Sequence, residues 1–257
     1  MSDEKIKEHG SKLFAPVLVI VAASLWAVDG IVLRPSLYSL PVPLVVFIES
    51  AIVAVLLTPF FIKKISALKN LQKKDWLAFF GVALLGGAIG TMAITKALFY
   101  VNFVNLSVVI LLQKLQPVFA ISLATIFLKE KLHGEFFIWA GLALLGAYFM
   151  TFGLSSPNIA AGDKTTIAAL FALLAAFSFS SSTVLSKRAL RNVDYEMGTY
   201  LRFLFTSFIM LIVAAATGDI SDITDITSKQ IIIFLIIAFT TGGAAIFLYY
   251  YGLKRIS

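Results

Sequence analysis

Five ionisable side chains stand inside long apolar stretches of this 257-residue chain: Asp29, Glu49, Lys96, Lys114 and Arg202. A charge in hydrocarbon is costly, so each of these groups must be paired, hydrated or used. At a helical rise of about 1.5 Å per residue, Asp29, Glu49 and Lys96 fall within roughly two turns of the same end of their stretches. Lys114 sits near the middle of its stretch and Arg202 near the opposite end. Two readings follow. In one, a polar cavity lets Asp29 or Glu49 exchange a proton, while Lys96 and Lys114 hold a solute carboxylate or phosphate. In the other, Asp29, Glu49 and Lys96 form a fixed salt-bridge cluster that packs three helices. Both predict at least one carboxylate close enough to Lys96 to pair. Arg202 is expected to snorkel to the nearer interface.

The polar residues around these charges extend the list. Gln113 and Gln116 are one helical turn apart and share a face, with Lys114 about 100° away. Pro117 lacks an N–H, frees the carbonyl of Gln113 and bends its helix. Such a kinked helix is either a binding element or a packing kink held by amide bonds. Trp26 is placed to stack on a solute or to anchor its helix. Gly86 and Gly90, four apart, predict close helix packing rather than a phosphate loop. The serines of the 178–182 stretch bond backbone carbonyls by default. Cysteine is absent, and the two histidines, His9 and His133, lie in flanking segments. No metal-ligand cluster, nucleophile triad or Gly-rich nucleotide loop is present in the sequence, so neither enzyme, metal nor cofactor is expected.

The elements that carry these residues are membrane helices. Hydrophobic residues make up 60% of the chain and charged ones 14%, with a mean hydropathy of +0.94. Soluble domains carry about 25% charged residues, so lipid must be the solvent here. Eight stretches approach the ~20 apolar residues a spanning helix needs: 13–33, 43–61, 76–100, 106–128, 136–154, 165–186, 198–217 and 231–253. Their runs are continuous rather than alternating, which selects helices over a barrel. Residues 1–12 form a polar tail. With the N-terminus in the cytoplasm, fifteen Lys and Arg fall in inner loops and three, Arg34, Lys164 and Lys229, in outer ones. That asymmetry sets the orientation and accounts for the net charge of +7 without nucleic acid.

The chain also repeats itself. Residues 22–37 echo residues 175–190 at a spacing of 153, and 95–98 face 250–253 at a spacing of 155. Five helices precede the echo, and five is odd, so the second copy enters the membrane from the opposite side. This is an inverted repeat, a common plan of secondary transporters. The expected organisation is a first repeat over 13–154, a linker over 155–164 and a second repeat over 165–257. Two further helices would complete the second repeat beyond Ser257, so eight of ten spans are present.

The run Ser24-Leu25-Trp26-Ala27, the stretch 96–100 and above all 115–120 with Leu128-Lys129-Glu130-Lys131-Leu132 carry a resemblance to a known family. They resemble the drug/metabolite transporter superfamily, specifically its EamA-like domain family. The resemblance implies two five-helix repeats and a carrier of amino acids, metabolites or drugs. The expected function is thus secondary transport of a small metabolite, such as an amino acid, by alternating access across the cell membrane. Expected partners are the bilayer, a small solute, a coupled proton and a second copy in a homodimer. A membrane-embedded enzyme acting on lipid-linked substrates, or a non-transporting fragment or assembly subunit, are the competing readings.

Overall fold

The computed structural model describes residues 3–62, 68–69, 71–101, 106–128, 134–154 and 164–255. Its described backbone is overwhelmingly helical, with no strand among those residues. Helix α1 (Asp3–Val28) runs into a π-helical turn, Asp29–Leu33, and a 3-10 turn, Arg34–Leu37. The polar segment expected as a separate tail therefore continues α1 from Asp3. Then follow α2 (Val42–Ile62) and α3 (Lys73–Tyr100), the latter interrupted by a π-helical stretch at Ala83–Ile89. Helix α4 comes in two pieces, Leu106–Gln113 and Gln116–Leu128. Helices α5 (Glu135–Phe152), α6 (Lys164–Ala189) and α7 (Tyr195–Thr217) precede α8 (Ser228–Arg255), which has its own π-turn at Ala238–Gly242.

Seven of the described helices are long and apolar enough to cross a membrane. The fifth predicted span forms the 18-residue α5, in which the qualifying apolar stretch is the shorter Glu135–Gly146. Side-chain exposure fits lipid as the solvent. Along the first half of α8, Ile231, Ile232, Leu235, Ile236 and Phe239 are exposed, while Gln230, Phe234, Ile237 and Thr241 are buried. A helix that turns large aliphatic side chains outward over several turns is stable only in an apolar medium.

The repeat is written into the secondary structure. α2 and α7 begin at Val42 and Tyr195, 153 residues apart. α3 and α8 correspond at a spacing of 155 from end to end: first residues Lys73 and Ser228, π-turns starting at Ala83 and Ala238, last residues Tyr100 and Arg255. Both open with a capping box, Gln72 with Asp75 and Thr227 with Gln230. In such a box the cap and the third helical residue satisfy each other's free backbone N–H groups. α2 and α7 pack antiparallel. Tyr200, near the start of α7, stacks on Phe61 at the end of α2, with ring centroids 4.0 Å apart. Equivalent helices running in opposite directions make the repeat inverted.

Packing divides the chain into two compact units that cut across the repeats. The first holds residues 1–83 and 185–257: α1, α2, the first turns of α3, the end of α6, α7 and α8. Its core includes Val53, Ala54, Phe203, Ala238, Ile246 and Tyr250. The second holds residues 84–184, with the rest of α3, α4, α5 and most of α6 around Ala97, Leu98, Val109, Leu112 and Ala172. Within it, a Cβ on Gly90 would meet the Phe179 ring at 2.9 Å, so the small residue is what lets α3 and α6 approach.

Candidate functional site

Of the five charged candidates, Asp29, Glu49 and Arg202 lie in the first unit and Lys96 and Lys114 in the second. Asp29 opens the π-turn that ends α1, and Glu49 lies seven residues into α2. The cation between them is Arg34. Its Nε donates to Asp29 Oδ2 at 2.9 Å and its Nη2 to the same oxygen at 2.5 Å. Nη2 also stands 3.2 Å from Glu49 Oε1 and 3.4 Å from Oε2. Arg34 is 5% and Glu49 8% exposed. Three formal charges therefore meet out of water with a net charge of −1. Asp29 Oδ1 and Glu49 Oε1 are buried without a hydrogen-bond partner among the described residues.

Within this unit the cation beside both acids is Arg34, which the sequence reading counts among the outer-loop charges. Lys96 belongs to the second unit, where its exposed side chain sets Nζ 5.2 Å from the Phe171 ring centroid. Phe171 in turn stacks on Tyr100, centroids 5.8 Å apart. The π-turn accounts for the Arg34–Asp29 pair. Residues five apart on an α-helix lie about 140° apart, whereas a π-turn closes i→i+5 bonds and brings them over one another. The backbone N–H of Arg34 bonds the carbonyl of Asp29 in this way.

Trp26, one turn before Asp29, is 37% exposed and meets the Tyr249 ring of α8 edge-on at 5.3 Å. Arg202 does not snorkel. It is 8% exposed, and its Nη1 donates to the Tyr250 hydroxyl at 3.4 Å, which lies 3.0 Å from Ser186 Oγ. Two side-chain hydrogen bonds that sequence reasoning missed cross between the repeats. Gln230 Nε2 donates to Ser39 Oγ at 3.0 Å, and Asn192 Nδ2 donates to Asp75 Oδ1 at 3.3 Å. They join equivalent positions with donor and acceptor exchanged, since Ser39 and Asn192 are 153 residues apart and Asp75 and Gln230 are 155 apart. The two capping boxes, combined with the repeat spacing, were the available signal.

In the second unit α4 breaks at Lys114 and Leu115, one turn before Pro117. Gln113 ends the first piece and Gln116 begins the second, so their shared helical face is interrupted; Lys114 is exposed in the gap. The carbonyl of Gln116 accepts the Ser180 hydroxyl of α6 at 2.8 Å. Broken helices of this kind present free carbonyls and partial helix-end charges at membrane depth. The motif at 129–132 lies outside the described residues.

Buried ionic groups, π-turns, a broken helix and an inverted repeat belong together in solute carriers. The sequence profile of the EamA-like transporter family matches residues 13–152 and 166–257. The chain belongs to the EamA-like transporter family. Among curated relatives, the riboflavin transporter ImpX of Fusobacterium nucleatum subsp. nucleatum is 48% identical over 242 residues, 94% of this chain and 81% of its own length. An uncharacterised transporter of Synechocystis, sll1164, is 26% identical over 163 residues, 63% of this chain and 46% of its own length. No solved structure matches. This EamA-like protein is therefore a multi-pass membrane transporter of a small metabolite and not an enzyme.

Proposed function

We propose that this protein is a secondary carrier of riboflavin or a closely related flavin, working by alternating access in the cell membrane with its N-terminus in the cytoplasm. The observation that carries the substrate is the 48% identity to a riboflavin transporter across 94% of the chain. An amino acid, the example drawn from the sequence, has no comparable support. Riboflavin joins a planar, amide-bearing ring system to a polyol. Aromatic faces suit the ring, and hydroxyl, amide and free carbonyl groups suit its edges and the polyol. Gln113, Lys114 and Gln116 of α4 and the Lys96–Phe171–Tyr100 group, all in the second unit, supply those groups. The bend at Pro117 is what frees backbone acceptors beside the glutamines.

The test is counterflow of radiolabelled riboflavin in proteoliposomes. Saturable exchange competed by flavins and not by amino acids is expected. Exchange of an amino acid with none of riboflavin would overturn the reading. Orientation is tested separately in the cysteine-free chain. A cysteine at position 69 should be labelled from the cytoplasmic side and one at 222 from outside; the reverse pattern would invert the topology.

A further inference from the structure

The Asp29–Arg34–Glu49 triad holds one negative charge more than it balances, in a place where water is scarce. Among the described residues, three buried side-chain oxygens lack a hydrogen-bond partner: Asp29 Oδ1, Glu49 Oε1 and Thr241 Oγ1. Two of the three belong to this triad. An unbalanced buried charge and orphaned buried acceptors are both unfavourable, and both are relieved by one added positive charge that can donate a hydrogen bond.

We propose that the triad is the coupling site of the carrier and binds one proton, held on Glu49. This rests on the reading of the protein as a secondary carrier. Geometry selects the acid. Asp29 takes both the Nε and the closer Nη2 contact of Arg34, at 2.9 and 2.5 Å, and so keeps the ionised pairing. Glu49 is held by one nitrogen at 3.2 and 3.4 Å. Protonating Glu49 turns an orphaned acceptor into a donor and brings the cluster to zero net charge. Geometry also selects the proton over a metal ion. A metal cation needs several oxygen ligands, and here the guanidinium already occupies the space between the two carboxylates and would repel it. Among the described residues, no three His, Cys, Asp or Glu side chains converge.

The elements packed on the triad carry other titratable groups, and none of them shares its ion pairs. Helix α8 brings Lys229, which is exposed. The 3-10 turn Asp219–Asp225 beside α2 brings Asp219, bonded to Thr217, Asp222, bonded to Ser221, and the exposed Asp225. The loop after Leu37 brings the exposed Tyr38. All of these sit toward water, where pH changes reach them without transport. On α7, which packs on α2, Arg202 is buried as well but is bonded to the Tyr250 hydroxyl. Glu49, 8% exposed, exchanges its proton with water through a change of conformation, which is the requirement for coupling.

Two measurements test the site. Infrared difference spectra of the lipid-reconstituted protein between acid and alkaline pH should show a protonated-carboxyl band that Glu49→Gln removes and Asp29→Asn retains. In proteoliposomes, an inward-acid gradient should change riboflavin accumulation at least several-fold in wild type and not in Glu49→Gln, while a sodium gradient has no effect. A band that survives Glu49→Gln, or accumulation driven by sodium alone, overturns the proposal. If wild-type counterflow of riboflavin is absent, the substrate reading has failed, and the infrared band still decides the proton site by itself.

Discussion

The two ends of the first unit are built from equivalent residues, and they differ in what they do with charge. At the end that carries the α1–α2 loop, Glu49 on α2 joins Arg34 and Asp29. At the end that carries the α6–α7 loop, the equivalent position on α7 is Arg202, which joins Tyr250 and Ser186. Each lies seven residues, roughly 10 Å, into its helix. The cross-repeat bonds are conserved between the two ends as Ser39–Gln230 and Asn192–Asp75, while the buried acid of one end has become a buried base at the other. The capping boxes and the bonds they support are scaffold, which a carrier needs at both ends. The sign of the buried charge is free to diverge if, as proposed, only one end takes up the coupled proton.

The largest effect that would break this comparison comes from Arg34. Arg34→Met leaves two buried carboxylates with no cation and should cost about 3–5 kcal/mol. The expected readout is a large drop in melting temperature in detergent, with most of the loss recovered in Arg34→Met combined with Glu49→Gln and Asp29→Asn. An unchanged melting temperature for the single variant would mean that the triad is hydrated and not a buried charge site.

Helix packing gives the next effect. A Cβ on Gly252 would sit 2.5 Å from Val19 Cγ2 and 2.9 Å from the Ala15 carbonyl, so α8 meets α1 only because that residue is glycine. The repeat equivalent of Gly252 is Ala97, whose partners at the equivalent positions are Ala168 and Ala172 in the same buried cluster. Small residues have moved from one partner to the other while the close approach was kept. Gly252→Ala should therefore destabilise by about 1–3 kcal/mol, and Val19→Ala should restore part of it. Equal stability of Gly252→Ala and wild type would show that the α1–α8 contact yields freely.

The smallest effects concern the twin bonds. Gln230→Ala and Asp75→Ala each lose a capping partner and one cross-repeat bond, about 1 kcal/mol apiece. Their value lies in direction. The first should raise labelling of single cysteines facing the α1–α2 end, and the second of those facing the α6–α7 end. Labelling that rises at the same end in both variants would contradict the equivalence.

Much of this was legible in the sequence because lipid imposes length and continuity on every span. The repeat was legible because Ala22–Leu37 and Ala175–Leu190 keep similar side chains in register. The break in α4 was legible because Pro117 removes a donor wherever it stands. The partner of the carboxylates was not. Asp29 and Glu49 share a depth, but depth along an axis says nothing about azimuth or about which neighbouring cation turns toward them. Arg34 was hidden by its five-residue spacing from Asp29, which reads as opposite faces until the π-turn is known. Arg202 follows the same logic in reverse: near a helix end it reads as interfacial, yet Tyr250 gives it a buried polar partner.

The most direct test of the account is a pair of distances in the reconstituted protein, one across each end. Spin labels at positions 38 and 229 report the α1–α2 end, and labels at 74 and 191 the α6–α7 end. On adding riboflavin with a step to acid pH, one distance should lengthen while the other shortens. Two distances that move together, or neither moving while riboflavin is transported, would contradict the claim that the ends are inverted counterparts which alternate.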